Sequence, residues 1–69
     1  MADWQKQVEK EAAAVLGGKP PVIIPREIAT PANVKRTVED WLSRWGHPEH
    51  MLIVTPTDEG TRIERSSEP

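Results

Sequence analysis

Residues 30–46, TPANVKRTVEDWLSRWG, constrain the fold more than any other stretch, because both ends of a helix are written into them. Thr30 suits the N-cap, and Pro31 suits the first helical position, where a missing N–H costs nothing. Gly46 and Pro48 close the far end: glycine accepts the left-handed cap and proline cannot continue a helix. Between these ends Val34, Val38, Trp41, Leu42 and Trp45 recur at steps of three and four and form one apolar face. Lys35, Arg36, Glu39, Asp40, Ser43 and Arg44 fall largely on the remaining surface.

The flanking segments give weaker signals of the same kind. Residues 2–16 predict a helix, with Asp3 as a plausible N-cap, Ala12, Ala13 and Ala14 as strong helix formers, and a thin stripe of Trp4, Val8, Ala12, Val15 and Leu16. Gly17-Gly18 ends it and Pro20-Pro21 enforces the stop. Residues 21–25, PVIIP, are β-branched, short and bounded by prolines, which predicts a short or edge strand. Arg26 to Ala29 leads into the central helix as an extended segment or a single turn. Residues 51–55, MLIVT, predict a second strand, apolar up to Thr55, with both faces in the core or one face in an interface. Thr57 to Gly60 reads as a type I turn with a left-handed glycine, and residues 61–65, TRIER, as the returning strand.

The predicted fold is therefore an α+β miniature in the order helix-strand-helix-strand-strand. Two helices cover one face of a small three-stranded mixed sheet. In that sheet residues 21–25 and 51–55 are parallel neighbours joined by a right-handed crossover through the central helix. Residues 1–65 form one compact domain and residues 66–69 a polar tail. At 69 residues with no cysteine, neither a disulfide nor a thiolate metal site can staple so small a core. No apolar run is long enough to span a bilayer and the N-terminus lacks a signal-peptide pattern, so the expected location is cytoplasmic, without membrane.

A second architecture competes. The stretch REIATPANVKRTVEDWLSRWG followed by a hairpin resembles the second half of winged helix-turn-helix DNA-binding domains, over residues 26–65. The resemblance implies that the central helix is a recognition helix and the hairpin a wing. The chain departs from that family where Thr30-Pro31 follows Ile28-Ala29, which leaves no room for a full second helix.

Chemistry-bearing motifs are sparse. His47-Pro48-Glu49-His50 is the only cluster of metal-ligand types, and two imidazoles and a carboxylate on a proline-stiffened loop read as a polar helix-to-strand connection. Glu39 and Asp40 are adjacent on a helix and point apart, while Lys35 and Arg36 offer Glu39 ordinary surface pairing. Gly17-Gly18-Lys19 lacks the spacing of a phosphate loop and follows a helix. No serine or threonine lies in a nucleophile elbow. The expectation is a non-enzyme with no metal and no cofactor.

The net charge of −2 removes any global case for nucleic acid, but the middle of the chain is locally basic. Lys35, Arg36, Arg44 and Arg62 are the residues a DNA-binding regulator would use, with Asp58 and Glu59 opposing phosphate at the hairpin tip. Protein–protein interaction, with another protein or by self-association, is the first expectation. It rests on PVIIP as an unguarded sheet edge, on the two-faced apolar strand at 51–55, and on a tryptophan near the N-terminus. The interface residues expected are Trp4, Ile23, Met51 and Ile53, in an accessory or regulatory role.

Overall fold

A computed structural model describes residues 3–66. The elements are α1 (Asp3–Leu16), β1 (Val22–Pro25), α2 (Pro31–Arg44), a 3-10 turn (Glu49–Met51), β2 (Leu52–Pro56) and β3 (Gly60–Arg65). The predicted element order holds, in a small α+β fold. The expected tail from residue 67 onward lies outside the described residues. Ser66, its first residue, donates its N–H to the Met51 carbonyl at 2.9 Å and adds a rung to the β2–β3 pairing.

Both helices end by the same device. In α2 the His47 N–H bonds the Leu42 carbonyl at 2.8 Å and the Gly46 N–H bonds the Ser43 carbonyl at 3.1 Å, with Gly46 at φ 74°. This is the Schellman pattern, which satisfies carbonyls that would otherwise be orphaned at the helix end. The contact that usually accompanies it, between the residue after the glycine and the last turn, is made here by rings: His47 stacks on Trp41 with centroids 5.9 Å apart. In α1 the matching bonds run from Lys19 to Ala14 and from Gly18 to Val15, each 3.0 Å. At the other end of α2 the Thr30 hydroxyl accepts from the Asn33 N–H at 3.3 Å, the predicted cap. Asp3 lies in the first turn of α1, where a carboxylate complements the positive end of the helix dipole.

The sheet differs from expectation. Its order is β1-β3-β2 and every pairing is antiparallel, so it is not mixed. β1 and β2 do run in the same direction across the α2 crossover, but β3 lies between them and they share no hydrogen bonds. Proline accounts for the order. β1 ends in Pro25 and β2 in Pro56, and proline cannot donate to a ladder, so both strands suit edges. β3, Gly60–Arg65, is the one strand without proline, and only it can pair fully on both sides.

Register fixes which residues share a face. Val22 and Val54 flank Ile63, Ile24 and Pro56 flank Thr61, and Leu52 lies beside Arg65. This face meets the helices. Ile24, Leu52 and Ile63 are buried there against Val8, Ala12 and Val15 of α1 and Val34, Val38 and Leu42 of α2. Trp4, Leu16, Ile28, Trp41, Met51 and Val54 pack half-buried around them. The predicted stripe of α1 is the observed one. In α2 the prediction fails at Trp45. The helix stops at Arg44, and Trp45 becomes the cap residue, 66 % exposed, while Thr37 is buried in its place.

The hairpin connection is Asp58-Glu59, held by Thr57 and Gly60. The Thr57 N–H bonds the Gly60 carbonyl at 2.7 Å, and the Gly60 N–H bonds the Thr57 hydroxyl at 3.1 Å. Among the described residues only glycines have positive φ, which excludes the mirror-image hairpin turns at Asp58 and Glu59. Gly60 is demanded by close approach: a Cβ there would collide with the Ile24 carbonyl group, 2.9 Å from its carbon, and lie 3.0 Å from the Pro25 Cα. Residues 26–28 form a single turn, with the Ile28 N–H on the Pro25 carbonyl. From that turn the Arg26 Nη2 donates to the Thr57 carbonyl at 2.9 Å and tethers the hairpin.

Candidate interaction surface

Among the described residues nothing covers the other face of the sheet. Strand alternation turns Ile23, Arg62 and Thr55 outward as one row across the three strands, with Glu64 and Ile53 as the next row. Ile23 is 43 % exposed and Ile53 44 %, and each stands on an edge strand. Between them, on the central strand, the Arg62 Nη2 lies 3.3 Å from the Glu64 Oε2. The surface is thus a neutral ion pair flanked by two β-branched apolar side chains. Neither of the two grooves described below opens on it, and its side chains are two isoleucines, a threonine and one ion pair.

The four expected interface residues divide. Ile23 and Ile53 share this open face. Trp4 does not: it is half-buried and packs on the core, where it staples α1 to the rest of the chain. Met51 does not share a face of β2 with Ile53, because it ends the 3-10 turn before the strand begins and lies half-buried against the core. Of the two expectations for β2, burial on both faces does not hold among the described residues: Leu52 and Val54 face the helices while Ile53 faces outward. The most exposed large apolar residue, Trp45, was not among the expected four. Counting back from Gly46 as the residue after the cap identifies it, because a cap side chain is released from the helical stripe.

The four basic residues do not converge. Arg36 and Arg44 border a groove of about 340 Å³ between α1 and α2, together with Gln5, Glu9, Thr37 and Asp40. There Arg44 pairs with Asp40 at 2.8 Å and with Glu9 at 3.6 Å, so the groove holds both charges. Lys35 borders a second groove of about 260 Å³ between the start of α2 and β2, beside Pro31, Ala32, Val54, Pro56 and Thr61. Arg62 belongs to the open sheet face, on the side away from both helices. Beneath the second groove the Thr61 hydroxyl is fully buried and has no hydrogen-bond partner among the described residues.

Among the described residues no three His, Cys, Asp or Glu side chains converge as a metal-ligand set, and no helix is long and apolar enough to cross a membrane. No known protein family, curated protein or solved structure matches this chain.

Proposed function

We propose that this chain is a non-enzymatic interaction domain that docks on another protein, or on a second copy of itself, through the open face of its sheet. The observation that carries the reading is the pairing of Ile23 and Ile53 on one uncovered surface. A small domain gains by hiding such residues, and α1 and α2 hide their counterparts Ile24 and Ile63 completely. The role is accessory or regulatory and the location cytoplasmic. A photo-crosslinking residue placed at Ile53, in cells that make the protein, gives a discrete adduct, while the same residue at Glu39 on the exposed side of α2 gives none. No adduct at position 53, or equal adducts at both positions, would sink the proposal.

A DNA-binding reading has one observation in its favour. The sheet is wholly antiparallel and the β2–β3 hairpin directly follows α2, as a recognition helix followed by a wing requires. The dispersal of Lys35, Arg36, Arg44 and Arg62 over three surfaces weighs against it. Under this reading duplex affinity falls steeply as salt rises, because phosphate neutralisation releases counterions. Arg36→Glu then abolishes binding. Fluorescence anisotropy with a labelled random duplex decides: no binding at low salt removes the reading.

A further inference from the structure

We infer that the partner seated on the open sheet face is a second copy of this chain, antiparallel to the first about a two-fold axis passing over Ile63. The inference rests on the open-face reading above and adds the identity of the occupant. Its basis is the order of charges on β3. Arg62 and Glu64 point outward two residues apart, about 6.7 Å along the strand. A partner lying over both matches their charges best by presenting an anion and a cation at that spacing in reverse order. A copy rotated about the two-fold does so by identity: Arg62 of each chain faces Glu64 of the other, twice. A parallel arrangement would put Arg62 over Arg62, so the charges also select the orientation. This is the self-complementarity an isologous interface requires.

The edge strands complete the surface. The same rotation lays β1 over β1 and β2 over β2, about 10 Å apart as in stacked sheets. Ile53 of each copy then sits diagonally against its mate and beside Thr55, and Ile23 sits diagonally against its mate on the other flank. Two isoleucine pairs thereby flank a central network of four charges on both sides, an apolar rim around a polar centre. In the single chain Arg62 and Glu64 already hold each other at 3.3 Å, so both side chains are oriented before association. The area sets the strength. Three strands about 4.8 Å apart and some 20 Å long present roughly 300 Å² per copy, well under the ~800 Å² of a stable complex. The dimer is therefore weak and exchanges rapidly.

The test is sedimentation equilibrium across a concentration series to the solubility limit, with backbone amide spectra recorded over the same range. Expected is a monomer–dimer equilibrium whose concentration-dependent shifts centre on Ile23, Ile53, Thr55, Arg62 and Glu64. Arg62→Glu and Glu64→Arg each raise the dimer dissociation constant by at least about tenfold, because like charges then face each other. The double exchange R62E/E64R restores it to within about threefold. Thermal melts check that each variant stays folded. A chain that remains monomeric throughout overturns the second-copy inference, while a crosslink from Ile53 to a different protein still upholds the open-face reading. Self-association that Trp45→Ala abolishes and the charge variants leave unchanged also overturns the second-copy inference, and the Ile53 crosslink then decides the open-face reading alone.

Discussion

Ile23 and Ile24 are neighbours on the same short strand, yet Ile24 is 1 % exposed and Ile23 43 %. Ile63 and Ile53 repeat the contrast on the paired strands, at 0 % and 44 %. Residue type cannot distinguish them; the side of the sheet does. One face lies beneath α1 and α2 and builds the core. The other presents an ion pair between two isoleucines and contributes little to holding the fold together. The two faces thus differ in burial across a single layer of backbone, and substitutions on them should differ in kind.

The largest effect is expected at Ile63. Truncation to alanine leaves a cavity beneath both helices and costs about 2–5 kcal/mol, comparable to the whole stability of a domain this size. Ile53→Ala should shift the urea midpoint by no more than about 0.5 kcal/mol equivalent. Equal costs for the two would erase the distinction between the faces. Next comes Gly60→Ala. Its Cβ meets the β1 backbone, so β1 must move off β3; the cost exceeds about 1 kcal/mol, and hydrogen exchange should show the β1 amides losing protection before those of β2.

Thr61→Val sharpens the comparison in the opposite direction. Thr61 is on the covered face with an unpartnered hydroxyl, and removing that group should stabilise the chain by about 1 kcal/mol. A lowered denaturation midpoint would mean the hydroxyl has a partner after all. The smallest effect belongs to Arg62→Gln. It breaks an exposed ion pair worth about 0–1 kcal/mol at most, so the melting temperature should barely move while any docking on the open face weakens.

Much of this molecule was legible from local chemistry. Thr30-Pro31 and Gly46 located α2 to within two residues, and Gly17-Gly18 ended α1 where the stripe of Trp4, Val8, Ala12 and Val15 ran out. The strand segments were found with shifts of about one residue. Strand order was not, although Pro25 and Pro56 carried the signal: two strands unable to complete a ladder leave the proline-free β3 for the centre. The crossover through α2 misled there, since it implies neighbouring strands where β3 in fact lies between them. Of the candidate surface, Ile23 and Ile53 were readable as apolar residues on short strands. Trp4 and Met51 pack half-buried against the core instead of on that face, and a sequence does not say which large side chains the core absorbs.

The sequence by itself determined the elements, because caps, glycines, prolines and periodicity act over a few residues and need no distant partner. Tertiary structure alone decided that Thr37 would lie buried and that Ile23 and Ile53 would share one open face around Arg62 and Glu64. These are outcomes of pairing between segments some 30 to 40 residues apart, where closing a loop costs entropy and only the summed burial of Ile24, Leu52 and Ile63 beneath two helices repays it.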